Sequence, residues 1–276
     1  MNSAKLKSMV SKKSKGDNNM SIQLYQMFFF EHILERLSKS EYKHNIILKG
    51  GLLLASIVGE DLRTTKDMDA SLKSIPLNKE NILKMFEEIL SIDIEDNITY
   101  EIVGIKDIRE EDEYGGFQIN ILGTLENTKI NMFIEVSTGD IITPKEIEFN
   151  YKCIFEEKII PICAYTIETI IAEKLETFIS RNIANTRMKD YYDLYMLVND
   201  YLNTIDQNAL KEAIRNTFNK RETKLDSDSL KKDYELIKTD AIMQQAWLKY
   251  KNKNKFVKDV DYIDVMKAIG RIIDIV

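Results

Sequence analysis

NIILKGGLLLASIVGEDLRTTKDMDAS, residues 45–71, is the stretch whose reading decides the fold. It opens on a short apolar run, Ile46-Ile47-Leu48, which Lys49, Gly50 and Gly51 interrupt. Leu52 to Val58 is then apolar over about two helical turns. After a polar link, Met68, Ala70 and Leu72 alternate with Asp67, Asp69 and Ser71. Alternation of period two is the mark of a half-buried strand, so both aspartates leave the same face.

Two carboxylates about 6 Å apart repel by roughly 1 kcal/mol in water and about 3 at an effective dielectric near 20. A bound Mg²⁺ converts that repulsion into a ligand pair, because hard cations take carboxylate oxygens and keep phosphates as partners. The Gly-Gly turn supplies a complementary device. Glycine lets backbone approach a ligand closely, and the N–H groups at the start of the next helix favour phosphate. An Asp-x-Asp alone is common on solvated strand edges, and a Gly-Gly alone is usually just a turn. Their joint order of strand, Gly-Gly, helix and Asp-x-Asp strand points to phosphoryl or nucleotidyl transfer.

The 276 residues suffice for one large domain or two small ones. A hydrophobic content of 44% with 30% charged residues indicates a globular chain, and a net charge of −6 argues against a general DNA binder. Cys153 and Cys163 lie in no Cys/His cluster of zinc spacing and read as free thiols in a reducing cytosol. No apolar run reaches membrane-spanning length and no signal peptide is apparent, so the expected location is cytoplasmic, with no membrane partner.

The lysines among residues 1–17 read as a solvated end, with an RNA-touching arm as the alternative. Periodicity predicts a helix from about Asn19 to Ser38, with Ile22, Tyr25, Phe29, Ile33, Leu34 and Leu37 near one face. His32 on it reads as a surface or packing histidine, and His44 has no obvious partner. Asn78 caps a second amphipathic helix, and strands are expected over Thr99–Ile105, Phe117–Leu122 and Lys129–Ser137. In the last of these, Glu135 shares a face with Asn131, Phe133 and Ser137. A third carboxylate on a neighbouring strand would bind a second metal or activate the attacking hydroxyl. A solvated edge strand is the competing reading, and Asp140 is a rival for the role.

From Thr166, an N-cap, the chain turns helical. One helix carries Lys174 and the next carries Asp190 and Asp193, three apart and therefore on one face. Further helices are expected at about 207–221, 227–250 and 260–274, with Trp247 and Ile263 as packing residues. Lys249, Lys251, Lys253, Lys255 and Lys258 form a basic segment, either a solvated helix end or a patch for a polynucleotide backbone.

Taken in order, these features resemble the AbiEii-type nucleotidyltransferase family, with its polymerase-beta-like nucleotidyltransferase fold. Its members include type IV toxin–antitoxin toxins and abortive-infection, phage-defence proteins. The resemblance rests on Lys49-Gly50-Gly51, Arg63-Thr64 ahead of Asp67-Met68-Asp69, Glu173-Lys174-Leu175-Glu176, and the run Arg187 to Tyr195. It implies an α+β fold: a nucleotidyltransferase-fold N-terminal lobe over 19–164, with a mixed sheet and flanking helices, and a helical C-terminal lobe over 165–276. It implies that Asp67 and Asp69 bind Mg²⁺ carrying a nucleoside triphosphate, that Lys49, Gly50, Gly51, Arg63 and Thr64 help hold that substrate, and that Lys174 contacts the triphosphate. Asp190 or Asp193 would complete the site; the sequence does not choose between them. The implied partners are an RNA acceptor, the tRNA 3′ end, and a cognate antitoxin acting without a tight complex. A small molecule or protein hydroxyl is the alternative acceptor, and a non-catalytic nucleotide- or RNA-binding module is the alternative class. One departure is visible: the family usually places Ser or Thr after the two glycines, where this chain has Leu52. A hydroxyl that could bond a phosphate is missing, a loss of about 1–2 kcal/mol.

Overall fold

The computed structural model describes residues 1–59, 65–108 and 115–276. The fold is mixed α+β, with a seven-stranded sheet and ten α-helices among the described residues. It divides into two units: Met1–Gly139 with Ile147–Ala164, and Asp140–Glu146 with Tyr165–Val276.

The first unit holds the sheet. Its strands are β1 (Ile46–Lys49), β2 (Asp67–Leu72), β3 (Ile98–Ile108), β4 (Gly116–Leu125), β5 (Thr128–Ser137), β6 (Ile147–Lys152) and β7 (Ile159–Ala164). They are ordered β3-β4-β5-β2-β1-β7-β6, with β2/β5 and β1/β7 parallel and the other neighbours antiparallel. The helices of this unit are α1 (Ser3–Ser14), α2 (Asn18–Lys39), α3 (Gly50–Val58) and α4 (Lys79–Ser91).

Strand alternation sorts the side chains of the central strands. Met68 and Ala70 of β2, Met132, Ile134 and Val136 of β5, and Ile119 and Ile121 of β4 are all buried on one face. The α2 helix packs there so closely that a Cβ on Gly123 of β4 would come within 2.6 Å of the Phe29 ring. The other face is polar. Register aligns Lys49, Asp69, Glu135, Gln118 and Lys106 in one row across β1, β2, β5, β4 and β3.

Several features of this unit differ from the sequence reading. The first residues form α1, with Leu6, Val10 and Ser14 buried at helical spacing and Asn2 capping the Lys5 N–H at 2.9 Å; the lysines occupy its outer side. The strands β6 and β7 were not expected, and Pro161 lies within β7, where it cannot donate to a ladder. Its position is tolerated because β7 meets β1 only at Leu48↔Ala164, at the far end of the strand. Ile22, expected on the packed face of α2, is 53% exposed.

The second unit is helical: α5 (Ile167–Arg181), α6 (Met188–Tyr201), α7 (Gln207–Lys220), α8 (Ser227–Thr239), α9 (Ala241–Lys253) and α10 (Tyr262–Ile273). The single helix expected over 227–250 is broken at Asp240, whose extended backbone ends α8 and whose carboxylate caps α9 by accepting the Met243 N–H at 2.9 Å. Asp favours that cap position over a helix interior. Trp247 is buried as expected, whereas Ile263 is exposed. No helix of the described residues is long and apolar enough to cross a membrane.

A buried ion cluster ties α2 to the segment before β3. The Arg36 guanidinium donates to both Asp96 oxygens, at 2.6 and 2.8 Å, and His32 Nδ1 lies 2.8 Å from Oδ2, so His32 is a packing histidine. Burial alone would raise the Asp96 pKa; His32, Arg36 and the Ile98 N–H outweigh it and hold the carboxyl well below its usual range. A depressed folded-state pKa contributes stability that is complete above the unfolded value near 3.9 and is lost as pH falls through the folded one. Asp96→Asn should therefore cost about 3 kcal/mol at pH 7, and the gap to wild type should narrow below about pH 4, as read by chemical denaturation at both pH values.

Candidate active site

The polar face of the first unit is organised by the turn between β1 and α3. Gly50 has φ +66°, a left-handed conformation that side chains disfavour. A Cβ at that position would lie 1.9 Å from Asp69 Oδ2 and 2.6 Å from its Cγ. The backbone at the start of α3 therefore sits directly against the Asp69 carboxylate, an approach open to glycine alone. The N–H groups of that helix start, with the positive end of its dipole, form the kind of place where phosphate binds.

Asp67 and Asp69 project from the same face of β2 and are both half-buried. Thr65, 1% exposed, donates its hydroxyl to Asp67 Oδ1 at 2.5 Å and fixes that carboxylate from two residues upstream. Sequence reasoning passed over Thr65; its period-two relation to Asp67 and Asp69 was the available signal. Glu135 is half-buried on β5, directly opposite Asp69 at an interstrand spacing of about 5 Å. Among the described residues no group of three or more His, Cys, Asp or Glu side chains is gathered for a metal. Mg²⁺ is commonly held by one or two carboxylates together with substrate phosphates, and the Asp67–Asp69 pair beside the Gly50 cradle fits that donor set.

Lys49, 7% exposed, donates to Ser137 Oγ of β5 at 2.8 Å. Its register partner is Asp69. The lysine thus lies within the sheet face as a buried cation among acids. Leu52 is fully buried, so this position contributes to the core of the unit. Arg63 and Thr64 lie outside the described residues.

The second unit carries its own cluster. Lys174 on α5 reaches α6 and bonds Asp190 Oδ1 and Asp193 Oδ2, both at 2.7 Å. Arg187 Nε bonds the other Asp190 oxygen at 2.9 Å. The carboxylates are 7% and 2% exposed and the lysine 15%. Both aspartates thus share one ammonium, and two of its three N–H donors serve them. The glutamates flanking Lys174 hold a different partner: Arg221 at the end of α7 bonds Glu176 at 2.7 Å and Glu173 at 3.3 Å. Burial lowers the Arg221 pKa, but these two acids outweigh it and raise it. Asp140 belongs to this unit and accepts the Tyr165 hydroxyl at 2.8 Å.

The family model described as nucleotidyl transferase AbiEii toxin, type IV toxin–antitoxin system, matches residues 32–265. The chain belongs to this family. The AbiEii-family protein is accordingly a nucleotidyltransferase, an enzyme whose substrate is a nucleoside triphosphate, and its toxin–antitoxin setting implies an antitoxin partner. Comparison with curated protein sequences finds no match. Two solved structures from Helicobacter pylori, one of a protein assigned as a nucleotidyltransferase and one of JHP933, are each 20% identical with a TM-score of 0.48. They cover 91% of this chain and 93% and 90% of their own. An antigenic nucleotidyltransferase-like protein from Paracoccidioides brasiliensis is 14% identical over 73% of this chain and 91% of its own, with a TM-score of 0.38.

Two outcomes follow for this AbiEii-family enzyme. Gly50→Ala should lower nucleotidyl transfer at least 100-fold, because the new methyl group must displace Asp69, while costing about 1–3 kcal/mol of stability; parallel activity and melting measurements check both. Lys174→Met leaves two carboxylates without their shared cation and should destabilise the protein by about 3–5 kcal/mol, with Lys174→Arg milder, as read by chemical denaturation.

Proposed function

We propose that the protein transfers a nucleoside monophosphate from a nucleoside triphosphate to the 3′ end of an RNA, in particular tRNA, and releases pyrophosphate. The observation that carries this reading is the pair Asp67 and Asp69, side by side on β2 with the Gly50 backbone against one of them. In a nucleotidyltransferase family that arrangement supports a triphosphate bound beside acid ligands.

Asp67 and Asp69 would hold Mg²⁺, with Thr65 keeping the Asp67 carboxylate in place. Bound there, the cation offsets negative charge on the triphosphate. The α3 N-terminus at Gly50 and Gly51 takes phosphate oxygens through backbone N–H groups, which need no hydroxyl at position 52. Glu135, one strand from Asp69, accepts the proton of the attacking hydroxyl. The bond from the acceptor oxygen to the α-phosphorus forms as the bond from that phosphorus to the bridging oxygen breaks. Lys174 is assigned to charge on the leaving pyrophosphate, with Asp190 and Asp193 setting its position. The setting is the cytoplasm, and the antitoxin acts without a tight complex.

Incubation of the purified protein with total tRNA, Mg²⁺ and each labelled triphosphate tests the reading. Wild type should label tRNA, and Asp67→Asn with Asp69→Asn should reduce labelling by at least 1,000-fold, a combined loss of about 4 kcal/mol in transition-state stabilisation. Label appearing only on a protein or small-molecule acceptor would reassign the acceptor and leave the chemistry intact.

A further inference from the structure

Phe133 stands out on the polar face. It lies opposite Asp67 on β2 and opposite Asn120 on β4, and it is half-buried. The core does not require an aromatic there, because Met132 and Ile134 on either side fill the buried face. Asn120, also half-buried, accepts from the Gln118 side-chain amide at 2.9 Å, and Gln118 is the register partner of Glu135. A ring and two neutral amides thus adjoin the acids, one to two strands away, about 5 to 10 Å.

We propose that Phe133, Asn120 and Gln118 form the acceptor-side subsite and take the unpaired terminal nucleobase of the RNA. The inference rests on the transfer reading above. Nucleotidyl transfer is an in-line displacement, so the attacking oxygen enters opposite the departing pyrophosphate. Gly50 at the end of β1 puts the phosphate tail on the β1 side of Asp67 and Asp69. The acceptor then comes from the β5 and β4 side, where Glu135 can receive its proton and where these three residues stand. Single-stranded RNA ends are bound by stacking on aromatic rings and by hydrogen bonds to base edges, and the amides of Asn and Gln both donate and accept. Neutral amides suit a base edge; a phosphate would call for cations.

The test compares wild type with Phe133→Leu, Phe133→Tyr and Asn120→Ala. It measures anisotropy of a 5′-labelled oligoribonucleotide with an unpaired 3′ end, without triphosphate, and separate KM values for acceptor and triphosphate. Phe133→Leu should weaken oligonucleotide binding and raise the acceptor KM by about 10-fold, with triphosphate KM within about twofold of wild type and Phe133→Tyr close to wild type. Asn120→Ala should raise acceptor KM by about threefold to fivefold, and it decides the matter if Phe133→Leu melts below the assay temperature. Unchanged acceptor binding and KM, or a rise confined to the triphosphate KM, overturns the subsite while transfer by wild type leaves the broader reading standing. Failure of wild type to label any RNA overturns that broader reading, and loss of oligonucleotide binding in Phe133→Leu still supports the subsite.

Discussion

A hydrogen atom where other residues carry a methyl group governs this protein. With Gly50 in its left-handed conformation, the first turn of α3 and the Asp69 carboxylate occupy space that any side chain would contest. The approach brings N–H groups, which favour anions, next to carboxylates, which repel them. The N–H groups suit the phosphates of a nucleoside triphosphate as they suit the carboxylate beside them. The strand pairing of β1 with β2 in register Lys49↔Asp69 fixes the distance, so sheet geometry and substrate chemistry are one constraint.

The same sheet sets a buried cation among half-buried acids. Lys49 is buried, opposite Asp69 and bonded to Ser137, and Glu135 stands across from Asp69 on the other side. A cation placed within the row lowers the repulsion between acids at short range, where the medium is less polar than water. The second unit repeats the solution in another form, with Lys174 and Arg187 against Asp190 and Asp193. In the second unit the acids are held by Lys174 from a neighbouring helix, so their positions are set by packing as much as by their own rotamers.

Much of this was legible from residue order alone. Alternation at Asp67 to Leu72 and the glycine pair gave the acids, their shared face and the turn, because period and steric permission are local properties. Glu135 was legible as a charged residue on a strand, but its register against Asp69 was not, since parallel pairing of β2 with β5 depends on the whole sheet. Lys174, Asp190 and Asp193 were legible as helical faces; that one ammonium bonds both acids depends on how α5 meets α6. Thr65 was overlooked because its period-two relation to Asp67 does not by itself show that its hydroxyl bonds that carboxylate. The β6–β7 hairpin was not anticipated; β7, which contains Pro161, pairs with β1 at Leu48↔Ala164. Lys49 was named through the family resemblance; its bond to Ser137 of β5 depends on the sheet and could not be read from the sequence.

The division of the chain is not a simple front and back half. The path enters the helical unit for Asp140–Glu146, returns for β6 and β7, and leaves again at Tyr165. That short excursion matters to the helices, for the Thr143 carbonyl accepts the Thr166 hydroxyl at 2.7 Å just where α5 begins. Interleaving of this kind makes the helical unit depend on chain that lies on both sides of the hairpin. Severing the polypeptide once, after Ala164, would strip the helices of a strap they use at their first turn, so the C-terminal fragment would not be a whole unit.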